Sequence, residues 1–181
     1  MTITLIEPTA ALVLVELQGG TLANPAIQPV DTLVANAGAL LTAFRERGMP
    51  VAFATIDGMA PGRNEVGSQP MDLPAAATSP VLPVASGDIS VVRRGWSAFT
   101  GTDLHEQLTA RGVTQVVFAG IATSFGIESS ARTAADLGYN VVVVTDATKD
   151  MSAEAHDARV AGIFRILGET GTTDEVVALL K

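Results

Sequence analysis

The chain contains no cysteine. This absence excludes disulfide bonds, thiolate metal ligands and any mechanism that depends on a cysteine nucleophile. Apolar runs are also short, because stretches such as residues 11–15 and 141–144 fall far below the roughly 18–20 residues that cross a bilayer. No membrane span is therefore predicted. The first eight residues hold neither Lys nor Arg, so no secretory signal is predicted and a cytoplasmic protein is expected.

Basic residues are scarce, with 11 Lys and Arg against 19 Asp and Glu and a net charge of −8. No basic cluster exceeds the pair Arg93 and Arg94, so nucleic acid is not an expected partner. Hydrophobic residues make up 48% of the sequence, which excludes a chain too polar to fold. A length of 181 residues predicts a single domain spanning residues 1–181.

Short β-branched apolar runs alternate with longer amphipathic stretches along the chain. Strands are predicted over residues 12–15, 51–56, 90–92, 115–119 and 140–145. Helices are predicted over 30–47, from a Thr102 cap to Arg111, over 124–137 and over 152–167, and a capping box at Thr172 and Glu175 opens a terminal helix. This order predicts an α/β fold, a three-layer α/β/α sandwich with a central, mostly parallel sheet.

Residues 57–89 interrupt the alternation with a long segment that carries five prolines and no sustained period. A loop of this length inside a compact domain is usually a functional lid or an arm that contacts another subunit. We predict one of these two roles, with plain disorder as the alternative.

Polar residues follow two of the predicted strands at the edge where ligands bind in parallel α/β sheets. Glu16 ends the first strand and is followed by Leu17 and Gln18, so a carboxylate stands at the end of a buried strand. Arg93 and Arg94 follow the strand over 90–92, and a guanidinium can form two parallel hydrogen bonds to a carboxylate. These residues are candidates for binding or catalysis.

The Gly-rich loop GIATSFG at residues 120–126 joins a predicted strand to its helix, where free backbone N–H groups favour an anion. The loop lacks the glycine spacing of nucleotide-binding motifs, and the chain has no Gly-x-Ser-x-Gly nucleophile elbow. The two histidines, His105 and His156, are predicted to lie at the surface and form no metal-binding pair. No metal and no cofactor are therefore expected.

Four stretches together resemble the isochorismatase-like hydrolases, also called cysteine hydrolases. They are ALVLVELQ at 11–18, VRRGWSAFTGTDL at 92–104, VFAGIATSFGIESSAR at 117–132 and GYNVVVVTDA at 138–147. The resemblance implies a central parallel sheet, a homo-oligomer of two or more subunits, and a cis peptide bond before Ala122. It also implies a site that in most members consists of Asp, Lys and Cys.

All three implied site positions are changed in this sequence. The Asp position is Glu16, the Lys position is Arg93 and the Cys position is Gly126. Without the thiol, the acyl-enzyme route of the amide-cleaving members has no nucleophile at this position. Isochorismatases proper also lack the cysteine and hydrolyse a vinyl ether, a reaction for which a carboxylic acid and water suffice.

The sequence therefore predicts a hydrolase for a vinyl ether or a related small carboxylated metabolite, with Glu16 as general acid. Arg93 is predicted to be its charge partner or a clamp for a substrate carboxylate, and Gln18 and Arg94 are predicted to bind the substrate. Residues of the loop, Ile121, Ala122, Thr123 and Gly126, are predicted to form an anion-binding wall, and Trp96, Phe99 and Phe125 to supply apolar pocket surface.

The alternative is a member that has lost hydrolase activity and acts as a small-molecule binding or oligomeric protein. In that case Glu16 and Arg93 would form a structural ion pair, since an arginine partner favours the ionised carboxylate and opposes its use as an acid.

Overall fold

Six strands form one sheet in the computed structural model, which describes residues 3–58, 62–65 and 73–180. The strands are β1 (Ala10–Val15), β2 (Val51–Ile56), β3 (Ile89–Arg93), β4 (Gln115–Ile121), β5 (Asn140–Lys149) and β6 (Glu169–Gly171). Their order is β3-β2-β1-β4-β5-β6, and every neighbouring pair is parallel. Strand order reverses between β1 and β4, which is where a ligand site is expected in such a sheet.

The central strand β1 shows why the sheet forms here. All six of its residues are buried, as expected of a parallel strand that is covered by helices on both faces. Leu12 and Leu14 pack into the hydrophobic core on one face, and Val13 and Val15 into the core on the other. The period-2 alternation of a strand thus divides one apolar run between two cores.

Helices cover both faces and complete the three-layer architecture. They are α1 (Gly19–Leu22), α2 (Asp31–Glu46), α3 (Ala75–Thr78), α4 (Leu104–Ala110), α5 (Glu128–Asp136), α6 (Ala153–Ala161), α7 (Phe164–Leu167) and α8 (Thr173–Leu179). Apolar residues of α2 and α8 pack on one face of the sheet, and those of α4, α5 and α7 on the other. The predicted fold class is confirmed, and so is the capping box that opens α8 at Thr172 and Glu175.

Three elements differ from the sequence prediction. The helix predicted over 152–167 is two helices, α6 and α7, which are separated at Gly162 by a non-helical ψ of −101°. The helix predicted over 124–137 begins with a π-helical turn, Thr123–Ile127, before α5. Asp103, not Thr102, directly precedes α4, although Thr102 accepts the N–H of Leu104.

The sheet also has a sixth strand, β6, that was not predicted. It is three residues long and lies at the sheet edge against β5. A run this short carries no periodicity that a sequence pattern can reveal.

The long segment over 57–89 is described only in part, and its prolines Pro61 and Pro70 lie outside the described residues. Its later part contains α3 and contacts the body of the domain, where the backbone of Pro80 pairs with that of Gln18. Arg45 of α2 forms an ion pair with Asp88 near the end of the segment. A role as lid or subunit contact stays a prediction. No helix among the described residues is both long and apolar enough to span a membrane.

Candidate active site

Glu16, Arg93 and Gly126, which lie far apart in the sequence, meet at the carboxyl edge of the sheet. Arg93 ends β3 and reaches across β2 to Glu16, where its Nη2 donates a charged hydrogen bond to the carboxylate Oε1. Its Nη1 donates to the carbonyl oxygen of Gly95. The Arg93 side chain is 2% exposed and that of Glu16 is 13% exposed, so this is a largely buried ion pair.

The backbone at Glu16 is strained. Its φ of 52° lies in the left-handed region, which residues with a side chain rarely adopt. The Glu16 N–H still donates to the carbonyl oxygen of Ala54, at 2.9 Å, and so continues the hydrogen bonding between β1 and β2. Backbone strain of this kind concentrates at functional sites, and here it falls on the residue that pairs with Arg93.

The second carboxylate oxygen of Glu16 is left available by this arrangement. Arg93 contacts Oε1, whereas Oε2 accepts no hydrogen bond from any residue in the described part of the chain. Glu16 also lines a pocket. The carboxylate is therefore held on one side by a buried cation and faces the pocket on the other.

The pocket has a volume of about 100 Å³ and lies at the switch point between β1 and β4. Five predicted site residues line it: Glu16, Trp96, Ile121, Ala122 and Phe125. The rings of Trp96 and Phe125 lie 5.2 Å apart between centroids. The peptide bond between Ile121 and Ala122 is cis, which confirms the prediction made from the resemblance.

Four further residues line the pocket and were not predicted: Thr21, Asn24, Ile27 and Met151. The first three follow β1 in α1 and the turn after it, and Met151 follows β5. Their common signal is that each lies after a strand of the parallel sheet, but nothing in their residue types marks them as ligand contacts.

Gln18 and Phe99 lie away from the pocket that they were predicted to line. Gln18 is fully buried, and its side chain donates to the carbonyl oxygens of Ile56 and Ala77 and accepts the N–H of Ile56. Its amide is used to join β1, β2 and α3. Phe99 stacks on Tyr139 in the core between the sheet and α4, with centroids 6.0 Å apart.

Thr123 is also buried, and its hydroxyl shares a hydrogen bond of 2.9 Å with Nδ1 of His156. His105 bonds through Nδ1 to the Tyr139 hydroxyl at 2.8 Å. The expectation of two surface histidines is therefore corrected: both are partly buried and bonded, because each faces a hydroxyl on a neighbouring element. No group of acidic and histidine side chains within the described residues is arranged to hold a metal ion.

Asp150 supports the loop and was not predicted. It follows β5, is 4% exposed, and accepts the backbone N–H groups of Ser124 (2.6 Å) and Met151 (2.7 Å). A carboxylate that accepts two N–H groups fixes both segments. Asp150 thus links the π-helical turn, which carries Phe125, to Met151, and both of these residues line the pocket.

Comparisons with known proteins agree with this geometry. A model of the isochorismatase domain matches residues 10–175. The chain belongs to the isochorismatase family. It is 37% identical over 183 residues to the Bacillus subtilis protein named uncharacterized isochorismatase family protein YwoC, with 94% of each chain covered. It is 36% identical over 186 residues to YecD of Escherichia coli O157:H7, named in the same way, with 95% of this chain and 96% of YecD covered.

A solved structure of an isochorismatase family protein from Burkholderia thailandensis resembles the whole fold. It has a TM-score of 0.93 and 37% sequence identity, and the match covers 99% of both chains. The six-stranded parallel sheet flanked by helices is therefore the isochorismatase-like fold.

Gly126 lies at the position that the family resemblance implies for the cysteine, and neighbouring atoms fill the space beside it. A Cβ atom at residue 126 would lie 2.8 Å from Nη2 of Arg93, 3.0 Å from the carbonyl oxygen of Ile121 and 3.0 Å from Cγ1 of Val15. All three distances are shorter than ordinary van der Waals contact. The guanidinium of Arg93 thus occupies the volume that a side chain at residue 126 would need.

Burial lowers the pKa of Arg93 to about 10. The guanidinium therefore remains protonated at neutral pH, and it can hold charge but cannot act as a general base there. Of the groups brought together at this edge of the sheet, the Glu16 carboxyl is the one suited to proton transfer.

Arg94 pairs at the surface with Asp57, with Nε 2.8 Å from Oδ1. It is not among the residues that line the pocket. The hydrogen bond from Arg94 lowers the pKa of Asp57. A carboxyl whose folded-state pKa is depressed contributes stability above its unfolded-state pKa and loses that contribution as the pH falls through the folded-state value.

Replacing Arg94 with glutamine is expected to raise the pKa of Asp57 toward its ordinary value, because the charged donor is removed. Carbonyl ¹³C chemical shifts followed through an acid titration measure this pKa directly in both proteins. An Asp57 titration that is identical in the Arg94→Gln variant would show that the pair does not form in solution.

Proposed function

We propose that this chain is an isochorismatase-family hydrolase that works without a covalent enzyme intermediate, with Glu16 as the proton-transfer group. The observation that carries this proposal is the position of the Glu16 carboxylate between Arg93 and the pocket. Gly126 offers no nucleophile, and Arg93 fills the space beside it. Acyl transfer through residue 126 is therefore not available to this chain.

Hydrolysis of a vinyl ether fits these groups. The carboxyl of Glu16 donates its proton to the terminal carbon of the double bond, which leaves an oxocarbenium ion on the ether carbon. Water adds to that carbon and returns a proton to the carboxylate, and the hemiacetal breaks its carbon–oxygen bond to give an alcohol and a carbonyl compound. Arg93 stabilises the carboxylate between these two steps.

Relatives named as amidohydrolases support the proposal of a hydrolase, but their names describe amide hydrolysis and not vinyl ether hydrolysis. The ureidoacrylate amidohydrolase of Variovorax paradoxus is 37% identical over 92 residues, which cover 50% of this chain and 36% of that enzyme. The amide hydrolysis in its name is not transferred, because residue 126 has no side chain here.

The test measures acetaldehyde release from ethyl vinyl ether and pyruvate release from isochorismate, with nicotinamide as the amide control. Turnover of a vinyl ether is expected, and the Glu16→Gln variant is expected to lose it by about 100-fold or more, the usual contribution of a positioned acid.

Ser124→Ala is the matched control, since it changes a side chain of the same loop that does not line the pocket. It is expected to keep the wild-type rate. Equal vinyl ether turnover in wild type and Glu16→Gln would contradict the role of Glu16, and ammonia release from nicotinamide would contradict the exclusion of amide hydrolysis.

A second candidate function is small-molecule binding without catalysis. The observation in its favour is that Glu16 and Arg93 form a largely buried ion pair, an arrangement that can be structural and needs no catalysis. A probable inactive nicotinamidase of Arabidopsis thaliana is 28% identical to this chain, with 91% of this chain and 93% of that protein covered. Folded protein that turns over neither vinyl ether would favour this second function.

A further inference from the structure

We infer that the pocket accepts a small, uncharged group and excludes carboxylates, so the natural ligand presents a neutral polar end with an apolar body. This inference rests on the proposed function insofar as the ligand is taken to be the substrate. It departs from the carboxylated metabolite that the sequence predicted, and the lining of the pocket is the reason.

Charge is the first argument. Glu16 is the one ionisable side chain among the described residues that line the pocket, and none of them is Lys, Arg or His. The cation that pairs with Glu16, Arg93, is 2% exposed, does not line the pocket, and already bonds to Glu16 and to the carbonyl oxygen of Gly95. A carboxylate in the pocket would lose its hydration beside a fixed negative charge without a counter-ion.

Size is the second argument. An apolar cavity of about 150 Å³ holds one benzene molecule. The pocket, at about 100 Å³, therefore accepts a group smaller than a benzene ring. A chorismate-type ring with two carboxylates exceeds this volume, so part of it would lie outside the pocket, whereas a short ether, amide or alcohol is contained within it.

The polarity of the lining is the third argument. Trp96, Phe125 and Met151 offer apolar surface, while Thr21 and Asn24 offer uncharged polar groups. The Oδ1 atom of Asn24 already accepts the N–H of Ala26, which leaves the side-chain NH₂ as the donor. A neutral oxygen with a short apolar body matches these groups, since hydrogen-bond donors and apolar walls are both satisfied.

The chain itself provides the probe for this inference, because Trp96 is its single tryptophan and lines the pocket. We would titrate propionamide and propionate against Trp96 emission at matched ionic strength. The two molecules have the same shape and number of non-hydrogen atoms and differ in charge. Propionamide is expected to bind about tenfold more tightly, the size of effect that one like charge at short range produces.

Two variants test the cause of this preference. Asn24→Asp retains the oxygen that accepts the Ala26 N–H and adds a negative charge at the pocket. It is therefore expected to weaken the binding of propionate further. Glu16→Gln removes the negative charge and leaves Arg93 without its counter-ion. The affinity for propionate is therefore expected to rise relative to that for propionamide. Circular dichroism confirms that each variant is folded.

The outcomes separate this inference from the proposed function. Propionate binding as tightly as propionamide, or neither molecule changing Trp96 emission, would overturn the inference whatever the turnover assays show. Binding of propionamide without turnover of either vinyl ether would retain the inference and overturn the proposed function. Isochorismate turned over faster than ethyl vinyl ether, and dependent on Glu16, would retain the function and overturn the inference.

Discussion

Replacing Arg93 with glutamine is expected to lower the free energy of unfolding by about 3–5 kcal/mol, the usual cost of removing one partner of a buried ion pair. The reason is that the Glu16 carboxylate, 13% exposed, would remain in the interior without its counter-ion. The Gly95 carbonyl oxygen would also lose its charged donor. Urea unfolding followed by circular dichroism measures the change.

Two comparisons isolate the cause of this loss. Arg132→Gln breaks a surface pair, because Arg132 is 52% exposed, and is expected to cost no more than about 0.5 kcal/mol. The double variant Glu16→Gln with Arg93→Gln removes both charges and is expected to be more stable than Arg93→Gln alone. An Arg93→Gln protein as stable as the Arg132→Gln protein would show that the ion pair does not stabilise the fold.

Replacing Gly126 with cysteine is expected to destabilise the protein by about 1–3 kcal/mol, the usual cost of overpacking a core. The new Cβ atom would lie 2.8 Å from Nη2 of Arg93, and that guanidinium cannot move freely because it bonds to Glu16 and to Gly95. Introducing the family thiol alone is therefore not expected to restore amide hydrolysis. Thermal and urea unfolding measure the destabilisation.

The same substitution made together with Arg93→Lys tests whether the two positions depend on each other. Lysine lacks the terminal Nη2 nitrogen, so the cost of Gly126→Cys is expected to be smaller in the Arg93→Lys background than in the wild type. Gly87→Cys is the matched control, since a Cβ at residue 87 meets no atom within 4 Å. Equal costs in both backgrounds would show that Arg93 and Gly126 are independent.

If the two costs differ as expected, arginine at residue 93 and glycine at residue 126 form one steric unit. The longer cation fills the volume that the missing side chain leaves, and it carries its charge to Glu16. The changes at the three site positions are then physically linked, which no inspection of single positions in the sequence reveals.

The sequence by itself determined the layers, the parallel sheet and the edge at which the candidate site lies. Buried strands such as β1 appear as continuous apolar runs, and Gly48, with a φ of 64°, ends α2 where the sequence predicted. Glu16 and Arg93 could be predicted as site residues because polar groups that directly follow such runs must emerge at the carboxyl edge of the sheet.

The tertiary structure alone decided which of the neighbouring side chains reach the pocket. Gln18 and Phe99 are close in sequence to Glu16 and Trp96, yet one joins three elements through its amide and the other enters the opposite core. Local pattern specifies the period of a strand or helix, but the direction of a side chain beyond a strand end depends on the turn that follows. The charge and size of the pocket likewise come from residues on separate elements, so only their packing together determines what the protein can bind.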